Sequence, residues 1–233
     1  MARVFVVDRA AFFGGAWPDG FHPIAAAEAP AFLRRLHVAG RFVDRATAEN
    51  TPAWKQLIPY CAVRCRLTPE AGDGLAPHGP LEGILTVRRT SGQSEARLHG
   101  SWSIGLGGHV DPEDMPEAAP NVDGPTFFAG ALRRELAEEL LITGAVPQPR
   151  FVGLLNDDRT AVGQVHAGLV YVWDLVGSLE QARAAVQVGE ISKMQGGLGS
   201  LVEFRDLWQD PARFESWSQF LIRAGVAGVM GKP

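Results

Sequence analysis

Hydrophobic and polar positions along this chain repeat with two different periods, and the places where the period changes mark its elements. Val4 to Val7 is a short apolar run that predicts a strand. Ala25 to Val38 carries Leu33 and Leu36 on one side of a helix that Gly40 ends. Lys55 to Arg64 is apolar enough for a largely buried strand, with Pro59 at an edge or a bulge. Gly83 to Arg88 predicts another strand, and the segment from Arg97 to Trp102 leads into one that ends at Gly107 and Gly108. Ala131 to Ile142 reads as a helix and Arg150 to Asn156 as a strand. Gln164 to Leu175 alternates, placing Val165, Ala167, Leu169, Tyr171 and Trp173 on one face and His166 on the other. A strand over Gly199 to Phe204 follows. Pro211 to Val229 then sets Phe214, Trp217, Leu221 and Ala224 at helical spacing.

This order predicts a mixed α/β domain over residues 53–209, with an N-terminal extension over 1–52 and a packed C-terminal helix over 210–233. Composition agrees with a globular chain, at 46% hydrophobic and 21% charged residues. A formal net charge of −4 provides no electrostatic footprint for a nucleic-acid polymer or an anionic membrane. The longest apolar stretch, Ala167 to Trp173, is too short to span a bilayer. Asp8 and Arg9 interrupt the first apolar run before it reaches the length of a secretory leader, so a cytoplasmic protein is expected. Cys61 and Cys65 would lie roughly 13 Å apart along one strand, too far to bridge or to share a metal, and read as reduced packing thiols. No histidine has a partner at metal-ligand spacing, so zinc is not expected. Phe12, Phe13, Trp17 and Phe21 cluster in a Gly/Pro-rich loop. They read as a packing patch over the main domain, or as a lid or half of a homodimer interface.

The chemistry concentrates on the helix from Ala131. Glu135, Glu138 and Glu139 stand at i, i+3 and i+4, so their carboxylates converge on one side. With Leu132 at zero, the apolar residues Phe128, Leu132, Leu136, Ala129 and Leu140 span about −40° to +80°. Glu139 falls near −20°, inside that sector, with Glu135 near −60° and Glu138 near −120°. A carboxylate aimed at an apolar face costs several kcal/mol unless a cation or donor meets it. Hard oxygen donors in this arrangement suit Mg²⁺ or Mn²⁺. The alternative is a solvated helix with pairs such as Arg134 and Glu138.

The preceding segment decides between them. Gly107-Gly108-His109-Val110-Asp111-Pro112-Glu113-Asp114 supplies a glycine pair and an acidic loop ahead of the helix. Together the two stretches resemble the signature of the Nudix hydrolase family, G-x5-E-x7-R-E-U-x-E-E-x-G-U, where U is aliphatic. Gly108 matches the opening glycine, Asp114 stands at the first glutamate, and Arg134, Glu135, Leu136, Glu138 and Glu139 match R-E-U-x-E-E. Ile142 matches the closing aliphatic position. Chance would give R-E-U-x-E-E in a chain of this length less than roughly once in a thousand. The surrounding sequence is also similar to a bacterial branch of the family described as predicted phosphoesterases. The chain departs from the signature at Asp114, at Leu141 in place of the helix-ending glycine, and in twelve extra residues between Asp114 and Arg134.

The resemblance implies a Nudix-type α/β/α sandwich with a mixed sheet. It implies metal-assisted cleavage of a phosphoanhydride in a small nucleotide-like diphosphate. Glu135, Glu138, Glu139 and Asp114 are the expected metal ligands. Arg134 is expected to orient the carboxylates, and Gly107 and Gly108 to shape the loop. Glu190 is the candidate base from a later loop, although a solvated glutamate is the commoner use of such a position. Arg88 and Arg97 are candidates for neutralising phosphate, and hairpin arginines are more often only solvated. Asp157 and Asp158 read as a turn with a possible outer contact to the metal. Two other classes fit the same signature. One is an isomerase like that of isopentenyl diphosphate, which would need Cys61 or Cys65 in its pocket. The other is a non-catalytic nucleotide-metabolite sensor.

Overall fold

The chain is α/β, with a mixed sheet and helices, as the sequence leads one to expect. The computed structural model describes residues 2–14, 17–68, 81–88, 102–115, 122–142, 147–178, 186–188, 200–203, 207 and 209–226. Its first six strands are β1 (Arg3–Asp8), β2 (Gly20–Pro23), β3 (Gly40–Asp44), β4 (Trp54–Thr68), β5 (Leu81–Arg88) and β6 (Trp102–Ser103). The later ones are β7 (Gly105–Gly107), β8 (Leu140–Ile142), β9 (Arg150–Asn156), β10 (His166–Ser178), β11 (Val186–Val188) and β12 (Ser200–Glu203). The helices are α1 (Arg9–Phe13), α2 (Ala29–Ala39), α3 (Arg45–Ala48), α4 (Gly124–Glu139), α5 (Ala161–Val165) and α6 (Ser216–Arg223). Among the described residues no helix is long and apolar enough to cross a membrane.

Contacts divide the chain into two units, with boundaries inside β4, β7, α4, β9 and β10. The first contains residues 1–60, 107–135 and 151–171. In it β1 pairs antiparallel with β3, from Arg3↔Asp44 to Val7↔Gly40, and with the start of β4 at Val6↔Gln56. β2 pairs antiparallel with β9, from Gly20↔Asn156 to Pro23↔Gly153. The strands β1, β2 and β3 are thus each held by backbone hydrogen bonds to a neighbouring strand. Phe5 on β1 packs edge-on against Phe42, Phe127 and Phe128, tying the first strand to α4. Phe12 meets Phe13 and Phe32, and Phe13 stacks on Trp17 at 4.3 Å, so these aromatic residues pack on one another and on α2. The helix read from Leu33 and Leu36 is present, with both side chains buried.

The second unit contains residues 61–106, 136–150 and 172–233. The end of β4 pairs antiparallel with β5, from Arg64↔Ile84 to Leu67↔Leu81, and β5 pairs with β12 and β6. Arg64, nearly buried, donates from Nε to Asp174 Oδ1 at 2.6 Å. The signature helix stops at Glu139. Leu140 to Ile142 leave it as β8 and pair with Val186 to Val188. With leucine at 141, backbone pairing to a β-branched partner strand ends the helix where the family uses a glycine cap. The C-terminal segment also differs from its reading, because Pro211–Arg213 is a short 3₁₀ turn and α6 covers only Ser216–Arg223. Glu215 sets that start by accepting the N–H groups of Trp217 and Ser218 at 2.7 and 2.9 Å. Phe214 and Leu221 are buried as their spacing implied.

The candidate active site on α4 and the glycine loop

Helix α4 begins where Asp123 accepts the Thr126 N–H at 3.0 Å, and Pro125 occupies its first turn. Phe127, Phe128, Ala131, Leu132 and Leu136 form its buried side. The glutamates follow the wheel, since Glu138 is exposed while Glu135 and Glu139, nearer the apolar sector, are half-buried. Oε2 of Glu139 is shut off from solvent.

Ahead of α4, β7 ends at Gly107, whose φ of +154° is a backbone state that L side chains rarely adopt. A Cβ there would stand 1.9 Å from the Pro59 carbonyl oxygen on β4. Only glycine lets the two backbones approach this closely. A Cβ on Gly108 would lie 2.2 Å from Glu135 Oε2, so the backbone at 108 forms a cradle that the carboxylate fills.

Arg134 holds this arrangement together. Its Nε donates to Asp114 Oδ1 at 2.8 Å and its Nη2 to Asp114 Oδ2 at 3.0 Å, a bidentate pair. Nη1 donates to Glu135 Oε1 at 2.8 Å, and Nη2 also reaches the His109 carbonyl at 2.8 Å. The Asp111 N–H donates to Asp114 Oδ2 at 2.8 Å. Asp114 is therefore occupied by a guanidinium and by its own loop, with its side chain only 2% exposed. The hydrogen bond from Arg134 to Asp114, followed by the charges around it, raises the guanidinium above its ordinary range against the effect of burial. Burial pushes the Asp111 carboxyl up, with Asp114 and Glu113 adding to it and Arg134 opposing.

The other residues singled out in the sequence are Arg88, Arg97, Glu190, Asp157 and Asp158. Arg88 is a β5 residue opposite Trp102, and its side chain is outside the described part. Arg97 and Glu190 lie outside the described residues. Asp157 is buried and takes Arg159 at 2.7 Å, as a turn residue would. Asp158 accepts the ammonium of Lys55 at 2.7 Å and also pairs with Arg9. Lys55 is fully buried and donates as well to the Gly163 carbonyl at 2.6 Å. The apolar run that begins at Lys55 was the only sign of this in the sequence.

A second cluster went unseen in the sequence. Ligand atoms of Glu49, His109 and His166 lie within 4.8 Å of one another. Spacing along the chain gave no sign of this cluster, because the fold brings its residues together from three separate segments. Burial, then the charges of Arg45, His166 and Arg134, depress His109 to about 3, so its imidazole is neutral.

No family model matches the chain. Protein YmaB of Bacillus subtilis (strain 168) is 30% identical to it over 197 residues, covering 82% of this chain and 80% of YmaB. Tm1382, whose crystal structure is described as that of a candidate Nudix hydrolase, superposes with a TM-score of 0.61 over 95% of this chain and 97% of its own. The chain belongs to the same family as YmaB, and its fold is that of the Nudix hydrolases. At 23% identity the likeness to Tm1382 speaks for the fold, and fold alone does not fix an activity. The chain carries the R-E-L-A-E-E run on α4 and the glycine loop against it.

Proposed function

We propose that this protein of Nudix fold is a metal-dependent hydrolase that cleaves a phosphoanhydride in a nucleoside diphosphate linked to another group, by attack of water on phosphorus. The observation that carries the reading is the Glu135 carboxylate, held by Arg134 and seated in the Gly108 cradle, on the helix that also bears Glu138 and Glu139.

These donors fit a hard divalent cation. They are carboxylate oxygens, one of them enclosed at Glu139 Oε2, and a charge so placed is stabilised by Mg²⁺ or Mn²⁺. Glu135, Glu138 and Glu139 would hold the ion. When bound it supplies charge neutralisation at the diphosphate and a water of lowered pKa. Arg134 fixes the rotamer of Glu135 and ties the loop to α4. Asp114 serves that clamp in place of the ligand role its signature position suggests, because its oxygens already accept from Arg134 and the Asp111 N–H. One of the α4 glutamates, or Glu190, would accept the proton of the attacking water. Arg88 and Arg97 are proposed to meet the phosphates. Gly107 and Gly108 keep the loop close enough for substrate to reach the carboxylates. The substrate is a small nucleotide-like molecule, since a net charge of −4 does not favour a nucleic-acid polymer. A homodimer, and a cytoplasmic setting in keeping with free, buried Cys61 and Cys65, complete the proposal.

The test is a phosphate-release screen over nucleotide sugars, dinucleoside polyphosphates, NAD, CoA and nucleoside triphosphates, with Mg²⁺ and with Mn²⁺. Turnover of at least one compound is expected, falling by about a hundredfold or more in Glu139→Gln. Unchanged turnover in Glu139→Gln removes the metal role assigned to it. No turnover of any compound favours the sensor.

A further inference from the structure

We propose that Glu49, His109 and His166 form a binding site for a borderline divalent transition-metal cation of the Zn²⁺ type, using donors other than the carboxylates of α4. The inference does not rest on the hydrolase reading.

The geometry of the two imidazoles carries it. His109 Nε2 and His166 Nε2 are 3.3 Å apart. Two nitrogen ligands, each about 2.05 Å from a tetrahedral cation, stand about 3.3 Å from each other. The tautomer is set as well. His166 Nδ1 donates to the Val162 carbonyl at 2.8 Å, which leaves the lone pair on Nε2. An imidazole whose far N–H is anchored on a backbone carbonyl is the usual state of a metal-bound histidine.

A plain hydrogen-bonded pair accounts for the cluster less well. His109 Nε2 has one proton to offer and two acceptors, His166 Nε2 at 3.3 Å and Gln56 Oε1 at 3.1 Å. The 3.3 Å between the two imidazole nitrogens is longer than an ordinary hydrogen bond. Gln56 is fully buried, and among the described residues its Nε2 has no hydrogen-bond partner, a cost that a water held by the cation would relieve. Glu49 completes the set from the end of α3. It is half-buried, and its Arg45 contact of 3.6 Å is loose enough to yield. Two imidazoles and one carboxylate suit Zn²⁺ and its neighbours better than Mg²⁺, and three protein ligands leave a position for water.

The consequence falls on the glycine loop. His109 belongs to that loop, and its carbonyl accepts from Arg134. A cation bound here would tie the loop to the start of β10 and the end of α3.

The experiment uses the full-length, metal-free protein carrying Glu135→Gln, Glu138→Gln and Glu139→Gln, which removes the α4 donors. Co²⁺ is titrated as a spectroscopic probe and displaced with Zn²⁺, and circular dichroism confirms that each variant is folded. One equivalent of Co²⁺ should give visible absorption bands of a nitrogen-ligated site, lost on adding Zn²⁺. Glu49→Gln should weaken binding about tenfold or more, and His109→Asn or His166→Asn about a hundredfold. If His166→Asn does not fold, the other two variants decide. Absence of the bands, or affinity unchanged in both Glu49→Gln and His109→Asn, overturns the proposal.

Discussion

Arg134 and Asp114 meet through two hydrogen bonds of 2.8 and 3.0 Å, although the extra residues between them doubled the usual sequence gap and more. The planar guanidinium reaches the carboxylate, Glu135 and the His109 carbonyl at once. A lysine ammonium carries the same charge without the fork. In Arg134→Lys, turnover of whichever compound the screen identifies should fall about ten- to hundredfold. The melting temperature should fall by about 4–8 °C, corresponding to about 2 kcal/mol. Steady-state kinetics and calorimetry check both. Unchanged values would mean that the clamp is incidental.

Gly108→Ala places a methyl group 2.2 Å from Glu135 Oε2, where both cannot remain. The carboxylate must move off the loop. Mg²⁺-dependent turnover should drop about a hundredfold or more, with a smaller change in melting temperature, because the helix itself is untouched. A titration of activity against Mg²⁺ should also show weaker metal dependence. Near-normal kinetics would show that Glu135 works from another position.

The buried Lys55 depends on Asp158 for its counter-charge. Asp158→Asn should destabilise the fold by about 3 kcal/mol, since it leaves the ammonium without its carboxylate. Burial raises the Asp158 carboxyl, but hydrogen bonds from Lys55 and Asn156 and the charges of Lys55 and Arg9 outweigh it and hold the carboxyl below its ordinary value. A depressed acid stabilises the folded state fully above the unfolded value of about 3.9 and loses that contribution as pH falls through the lower folded one. The gap in melting temperature between wild type and Asp158→Asn should therefore narrow below about pH 4. A gap constant from pH 6 to pH 2 would count against the ion pair.

Cys61 and Cys65 bear on the isomerase alternative, which needs a reactive thiolate. Both are buried. Burial, then the Asp174 charge, drives the Cys61 thiol far above its ordinary range and Cys65 up to about 11. Iodoacetamide should label neither in the native protein at pH 7.5 and both after denaturation, read by mass spectrometry. Cys61→Ala and Cys65→Ala should retain the turnover found in the screen. Rapid native labelling, or loss of activity in a folded variant, would revive the isomerase.

Much of the fold was legible from local pattern. The apolar runs of β1, β4, β9 and β10 and the buried face of α4 appear where periodicity put them, because each is fixed by residues a few positions apart. The same pattern ranked the α4 glutamates by burial. It misjudged the last turn of α4, where Leu140 to Ile142 are claimed by β11, a partner more than 40 residues away. It also read the strand from Gln164 as one-sided, whereas residues 165–173 are buried on both faces and His166 lies inside.

The sequence by itself determined the family signature and the helix that presents three carboxylates, since spacing along one helix sets which side chains share a face. Tertiary structure alone decided that Asp114 would close on Arg134, that Lys55 would be buried against Asp158, and that Glu49, His109 and His166 would meet. Those meetings depend on strand pairings and loop closures across scores of residues. Chain connectivity permits many such closures, and only the packed fold selects among them.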